Sequence, residues 1–191
     1  MKLSEKFEEA LIYSTRAHGG QTRKKTGIPF VAHILGVTAI ALEYGANETE
    51  AIGALLHDTV EDCGGVERLR DIREKFGDDV ARIVDGCTDT YKTPKPPWLE
   101  RKRSYIDHLK DTDSSTRLVS ASDKLHNTRA ILAELRRHGL EVFERFGGKK
   151  DGTVWYYRTL VTAFRQHDDH SDLVDELDRV VSEIEQFVRE H

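Results

Sequence analysis

"ALLHDTVEDCG", residues 54–64, begins as a buried helix and then places four ionisable side chains within six positions. Because residues four apart share one face of a helix, His57 is expected to lie above Glu61, and Asp58 above Asp62. Burying these carboxylates without compensation would cost on the order of several kcal/mol. We therefore expect them either to face solvent at an exposed helix end or to be neutralised by a bound cation.

Outward from this stretch, apolar residues recur with helical periodicity from one end of the chain to the other. Ser4 is typical of the N-cap of a first helix, and Pro29 of the start of a second helix that Gly45 ends. A third helix is predicted from about Glu48 through the quoted stretch to Gly64. No segment alternates convincingly between apolar and polar residues at period two. The pattern predicts an all-α bundle of about nine helices.

Two segments are predicted to interrupt the helices of the second half. "KTPKPPW", residues 92–98, has three prolines in four positions, which cannot continue a helix. The glycine-rich "FGGKKDG", residues 146–152, is predicted to separate a long helix from the next one. Because the proline-rich segment is short, it indicates an excursion within one domain, and we expect a single domain over residues 1–191.

Composition excludes several classes of protein. The formal net charge of −5 and the pI of about 6.0 argue against a dedicated binder of nucleic acid or of acidic membranes. No apolar run approaches the roughly 18 residues that a membrane span needs, and the first residues are too acidic for a signal peptide. Cys63 and Cys87 form no metal-ligand pattern, so we expect a reducing, cytoplasmic setting. The oligomeric state does not follow from the sequence.

Two further helices each place one polar residue among apolar neighbours. His33 lies in "PFVAHILGVTAI", and a lone histidine there is more often a hydrogen-bonded core residue than a ligand. Asp123 lies in "LVSASDKLHN", where Lys124 or Arg129 could pair with it. With the quoted stretch, however, the chain offers two imidazoles and two carboxylates from three helices: His33, His57, Asp58 and Asp123. This donor set suits an octahedral Mn²⁺ or Fe²⁺ ion with positions left for water and substrate, and suits zinc less well.

The order of these residues resembles the HD-domain metal-dependent phosphohydrolases. More narrowly, "HGGQTRKKTGIPFVAH", "LLHDTVED" and "SDKLHN" resemble the hydrolase domain of the RelA/SpoT alarmone enzymes and the stand-alone small alarmone hydrolases, over about residues 5–135. The resemblance implies an all-helical HD domain that holds Mn²⁺ through the four residues just named. It also implies a nucleotide substrate and a reaction, the removal of pyrophosphate from the 3′ position of guanosine tetra- or pentaphosphate.

The same resemblance assigns roles to other residues. It implies that Glu61 and Asp62 are the acidic pair that handles the attacking water, and that Asn127 is the asparagine beside the metal. The family's Arg-Lys pair corresponds here to three consecutive basic residues, with one apparent insertion: Arg23, Lys24 and Lys25. These three lie in a loop before the helix of His33, from which they could reach substrate phosphates, or they could form an ordinary solvated basic run.

Alternatives remain open at the level of the sequence. Another nucleotide phosphomonoesterase or phosphodiesterase activity of the HD family is the nearest, and a non-catalytic nucleotide sensor belongs to a different class. The acidic pair and the basic loop favour the alarmone hydrolase. Trp155, Tyr156 and Tyr157 could stack on a nucleobase or belong to the core. Arg158 could contact phosphate or be a surface charge.

Overall fold

The computed structural model describes residues 2–23, 26–167 and 169–191. Within those ranges it contains ten α-helices, one 3₁₀ helix and a single antiparallel bridge between Thr22 and Pro29. The helices are α1 Glu5–Ala17, α2 Val31–Glu43, α3 Glu48–Leu56, α4 Thr59–Cys63, α5 Gly65–Phe76, α6 Asp78–Cys87, α7 Trp98–Leu109, α8 Ser114–His138, the 3₁₀ helix Gly139–Arg145, α9 Lys149–Phe164 and α10 Ser171–Glu190. The predicted all-α fold is confirmed. No helix in these ranges is long and apolar enough to cross a membrane.

Two of the helix starts predicted from the sequence are set by side-chain caps. The Ser4 hydroxyl accepts a hydrogen bond from the backbone N–H of Lys6, as expected for the N-cap of α1. Asn47 and Glu50 form a reciprocal capping box at the start of α3. The second helix begins at Val31 rather than directly at Pro29, because Pro29 is held in the bridge to Thr22.

The predicted third helix is interrupted at His57 and Asp58, which divides it into α3 and α4 and accounts for one helix more than the sequence indicated. At this point side chains bond to backbone carbonyl groups. The Thr59 hydroxyl donates to the carbonyl of Leu56 at 2.6 Å, and His57 Nδ1 donates to the carbonyl of Ala54 at 2.8 Å. Such local bonds compete with continuation of the helical ladder. Because the helix is interrupted here, the side chains of the adjacent residues His57 and Asp58 can face the same position.

The start of α9 also differs from the prediction. The helix begins at Lys149, inside the segment that the sequence indicated as a loop. The glycines of this segment are explained by packing, because the Trp98 indole lies directly against them. A Cβ atom on Gly148 would lie 2.5 Å from Cη2 of Trp98, and one on Gly147 would lie 2.8 Å from its Cδ1. The glycines therefore permit a close approach of α7 to α9.

Two apolar clusters form the core, and α2 and α3 contribute to both. Val37 and Ala54 belong to the cluster that includes α8, α9 and α10, whereas Ile34 and Leu55 belong to the cluster that includes α1 and α5. The helices that carry the candidate ligands are thus packed on two sides. Because α10 packs on α8 and α9, the C-terminal helix adjoins the rest of the bundle. The single domain over the whole chain stays a prediction.

Candidate metal centre and substrate cavity

The structure brings together the four side chains proposed as metal ligands. His33 lies on α2, Asp123 on α8, and His57 and Asp58 at the junction of α3 and α4. The ligand atoms of His33, His57 and Asp58 all lie within 4.8 Å of one another. Asp58 Oδ2 is 3.2 Å from Nε2 of both histidines. Asp123 Oδ1 adjoins this group, 3.3 Å from Nε2 of His33 and 3.7 Å from Nε2 of His57.

The His57 imidazole provides a test of whether this cluster fits a metal. Its Nδ1–H donates to the carbonyl of Ala54, which leaves a lone pair on Nε2. That nitrogen is buried and has no hydrogen-bond partner in the described part of the chain, although carboxylate oxygens lie close to it. A lone pair facing carboxylate oxygens is repulsive unless a proton or a cation lies between them. Six-coordinate bonds of about 2.1 Å place neighbouring ligand atoms about 3.0 Å apart. The spacing in the cluster is close to this value, so the residues fit a divalent cation.

The electrostatics of the cluster point in the same direction. Burial opposes the charged form of His57, but the carboxylates of Asp58 and Asp123 outweigh it and raise the pKa of His57 to about 10. Burial likewise opposes ionisation of Asp58, yet His57 and His33 hold its pKa well below the usual range. Without a metal, the cluster therefore retains a proton on His57. The negative potential that retains this proton also attracts a metal dication, which competes with it.

His126 contacts the His33 imidazole on the side away from the cluster. It was not identified from the sequence. Its Nδ1 lies 2.9 Å from Nδ1 of His33. Burial and the neighbouring His33 and Arg23 lower the pKa of His126 to about 4, so it is neutral and can accept this hydrogen bond. The bond leaves the Nε2 lone pair of His33 facing the cluster. Gly36 makes room for this contact, because a Cβ atom there would lie 2.3 Å from the His126 ring. The signal in the sequence was its position three residues after Asp123.

Asn127 and Arg23 extend the cluster towards the basic loop. The Asn127 amide nitrogen donates to Oδ1 of Asp123, and its oxygen accepts from Nη2 of Arg23 at 2.6 Å. The first of the three consecutive basic residues therefore lies next to the candidate metal centre. Lys24 and Lys25 lie outside the described residues. Lys124, one of the two alternative partners considered for Asp123, forms an ion pair with it. The Asp123 carboxylate therefore contacts the Lys124 ammonium through one oxygen and the His33 imidazole through the other.

Glu61 and Asp62 line the same cavity as His33, Asp58 and Asp123. Both carboxylate oxygens of Glu61 accept hydrogen bonds from the segment between α6 and α7. Oε1 accepts from Nζ of Lys95 at 2.7 Å, and Oε2 accepts from the backbone N–H of Asp89 at 3.2 Å. The proline-rich segment thus does more than break a helix, because its Lys95 contacts the proposed catalytic carboxylate. The separation of these residues along the chain hid the contact.

The cavity has a volume of about 510 Å³, within the usual range for small-molecule sites. Two of its lining cations, Arg101 and Lys102 on α7, share the carboxylate of Asp89, which is buried. Burial and the nearby charge of Lys124 lower the pKa of Lys102 to about 8. These α7 cations were not identified from the sequence, where they belong to a run of three basic residues, 101–103. A separate groove of about 710 Å³ between α1 and α5 is lined by none of the predicted site residues.

The three aromatic residues of α9 do not share one role: two line the cavity and one packs against another tryptophan. Tyr156 and Tyr157 line the cavity, and Tyr156 also lies beneath the Lys102 ammonium, 5.0 Å from Nζ to the ring centroid. Trp155 instead packs against Trp98, with ring centroids 6.4 Å apart. Arg158 forms ion pairs with two carboxylates of α10, Asp178 and Glu185, and does not line the cavity. It is a surface charge that ties α9 to α10.

Comparisons with known proteins agree with this geometry. A model of the HD domain family matches residues 10–154. The guanosine-3′,5′-bis(diphosphate) 3′-pyrophosphohydrolase MESH1 of Homo sapiens is 38% identical over 127 residues, which is 64% of this chain and 68% of that protein. A GTP pyrophosphokinase of Myxococcus xanthus is 32% identical over 131 residues, 65% of this chain but 17% of that protein.

A solved structure described as a metazoan orthologue of SpoT that hydrolyses ppGpp superposes with a TM-score of 0.77 at 27% identity. The match covers 94% of this chain and 96% of that one. These similarities confirm the resemblance to the RelA/SpoT hydrolase domain. Since the family model spans well over half of the chain and contains all four converging His and Asp residues, the protein belongs to the HD domain family.

Proposed function

We propose that the protein is a metal-dependent phosphohydrolase that removes pyrophosphate from the 3′ position of guanosine tetra- or pentaphosphate. The observation that carries this proposal is the opening of the His and Asp cluster into a cavity walled by cations and tyrosines. Such a cavity suits a polyphosphorylated nucleotide, whose phosphates need positive charge and whose nucleoside needs an apolar surface. The similarity to MESH1, which is named for this reaction, supports the same substrate.

The metal would be held by His33, His57, Asp58 and Asp123. We propose Mn²⁺, because a mixed imidazole and carboxylate set with open positions suits Mn²⁺ or Fe²⁺. When bound, the cation would supply a water of lowered pKa and positive charge for the phosphoryl oxygens. The role of His126 would be to hold His33 in the tautomer that presents Nε2 to the centre.

The remaining residues would manage protons and phosphate charge. The reaction joins a water oxygen to the phosphorus nearest the ribose and breaks the bond from that phosphorus to ribose O3′. Glu61, oriented by its two hydrogen-bond donors, and Asp62 would take the proton from water and return one to O3′. Asn127 would be fixed between Asp123 and Arg23, and the Arg23 guanidinium would face the diphosphate. The cytoplasmic setting stays a prediction, which two free thiols support.

The identity of the released product tests this proposal. Manganese-loaded protein would be incubated separately with guanosine 3′,5′-bis(diphosphate) and with simple 5′-phosphorylated nucleotides, and the products separated by anion-exchange chromatography. We expect pyrophosphate and guanosine 5′-diphosphate from the first substrate. Release of orthophosphate would instead indicate a phosphomonoesterase, and turnover of a cyclic nucleotide in a parallel incubation would indicate a phosphodiesterase. An intact nucleotide after incubation with metal-loaded protein would indicate a sensor.

A further inference from the structure

Thr153 has a buried hydroxyl that the protein itself does not satisfy. The residue is 4% exposed, and in the described part of the chain its Oγ1 is the one buried hydroxyl oxygen without a hydrogen-bond partner. Other threonines of α9 bond back to the helix: Thr159 donates to the carbonyl of Trp155 at 2.7 Å and Thr162 to that of Arg158 at 3.1 Å. Burying a hydroxyl without a partner is unfavourable, so this exception requires an explanation.

The usual acceptor for such a hydroxyl, the carbonyl four residues earlier, belongs here to the first residue of α9. Lys149, four residues before Thr153, has a φ of 52° and is not in the helical region. Thr153 lines the same cavity as the candidate metal ligands. Because the residue lines the cavity, a molecule bound against it could supply the partner that the helix does not.

The wall around Thr153 indicates what kind of group it meets. We call Phe146, Gly147, Thr153, Tyr156 and Tyr157, which all line the cavity, the α9 wall. The side chains of the α9 wall are aromatic rings and a neutral hydroxyl, and the Lys102 ammonium lies over the ring of Tyr156. Rings and a hydroxyl suit a planar group with hydrogen-bonding edges better than they suit a phosphate.

We propose that Thr153 is a specificity-determining residue whose hydroxyl hydrogen-bonds a polar edge of the substrate's nucleoside. The diphosphate would then lie at the metal centre and the nucleoside against the α9 wall. This inference rests on the proposed function, since it takes a nucleotide to be the occupant of the cavity. It assigns to Thr153 a contact with neutral atoms, and none with the phosphates.

The test separates the two halves of the substrate. Guanosine 5′-diphosphate carries the nucleoside, whereas inorganic pyrophosphate carries only the phosphates, and neither is consumed by the proposed reaction. Their dissociation constants would be measured by calorimetry on manganese-loaded protein. In Thr153→Val, which keeps the shape of the side chain but removes the hydroxyl, we expect the affinity for guanosine 5′-diphosphate to fall about two- to tenfold, the range for one neutral hydrogen bond. The affinity for pyrophosphate should be unchanged.

Two matched variants control this comparison. Thr153→Ser keeps the hydroxyl and should retain both affinities. Thr38 is an equally buried threonine on α2 whose hydroxyl is satisfied by the carbonyl of Ile34 at 2.9 Å, so Thr38→Val should also leave both affinities unchanged. The melting temperature of Thr153→Val should equal or exceed that of the parent, because the removed hydroxyl had no partner. If valine prevents folding, Thr153→Ala serves in its place, again compared with Thr153→Ser.

Several results would overturn the inference. Equal loss of affinity for pyrophosphate would mean that Thr153 acts on the phosphates or on the shape of the cavity. Unchanged binding of guanosine 5′-diphosphate by Thr153→Val, or absent binding by the parent, would remove the nucleoside contact. Because these readouts are affinities, they are independent of turnover. A parent that binds guanosine 5′-diphosphate through Thr153 yet releases no pyrophosphate would contradict the proposed reaction and leave the nucleoside contact standing.

Discussion

Manganese binding is expected to strengthen about tenfold for each pH unit between about pH 6 and pH 9, because the metal has to displace a proton from His57. Burial disfavours that proton, but Asp58 and Asp123 outweigh burial and raise the pKa of His57 to about 10. At pH 7 the imidazole is therefore charged, and only neutral imidazole binds a metal. The pKa of about 10 lies three units above pH 7, and each unit corresponds to about 1.4 kcal/mol. Displacing the proton at pH 7 therefore costs about 4 kcal/mol.

Calorimetric titration of the metal-free protein with Mn²⁺ would measure this effect. Titrations at about pH 6, 7 and 8, each in two buffers of different ionisation enthalpy, count the protons released as well as the affinity. We expect about one proton released per metal at pH 7. Asp58→Ala is the control, because it removes both a ligand and the carboxylate that retains the proton, and elemental analysis should find no bound metal in it. Tight binding with no proton release and no pH dependence would refute the reasoning.

Three other perturbations test separate parts of the site. Glu61→Gln and Asp62→Asn should retain metal while kcat falls about 10²- to 10⁴-fold, and turnover within a few-fold of the parent would identify a merely solvated helix end. Neutralising all three basic residues 23–25 should lower kcat/KM about tenfold or more at unchanged metal content, since one charged hydrogen bond contributes about 1.5–3 kcal/mol; parental kinetics would argue against phosphate contact. Metal-free protein should resist denaturant best between about pH 4 and 6.5. Because the pKa of His57 is raised in the folded state, its contribution to the free energy of unfolding is fully present below the unfolded pKa of about 6.5 and is lost as the pH rises towards 10. Because the pKa of Asp58 is lowered, its contribution is present above the unfolded pKa of about 3.8 and is lost in acid. Urea midpoints across this range that do not change would contradict this electrostatic account.

The sequence predicted the parts of the structure that depend on local pattern. Helical periodicity is a local signal, so the all-α class followed from it, and the Ser4 cap occurs at the predicted residue. The convergence of His33, His57, Asp58 and Asp123 was predicted for another reason. Polar residues on otherwise apolar helices have to meet partners when those helices pack, and the order of the motifs indicated which partners.

The parts that could not be predicted depend on contacts between distant segments. The division of α3 from α4 depends on the bonds of His57 and Thr59 to backbone carbonyls, which helical periodicity does not reveal. The contact of Lys95 with Glu61 joins residues 34 positions apart. The glycines at the start of α9 are explained by their packing against the indole of Trp98. In each case the residue type was visible in the sequence, but its partner was not.

Charge around the cavity explains why a chain of net charge −5 suits an anionic substrate. Among the described residues, the lining includes seven cationic side chains, Arg23, Lys95, Arg101, Lys102, Lys124, Arg137 and Arg145, and six carboxylates, Asp58, Glu61, Asp62, Asp89, Asp123 and Glu134. Seven against six leaves the lining at +1, and a divalent cation would bring it to +3. A concave surface with a net positive charge attracts anionic ligands. The carboxylates of Asp58, Glu61 and Asp62 therefore do not make the cavity repel phosphate. Lysines and arginines from other segments, together with a bound metal, would offset their negative charge.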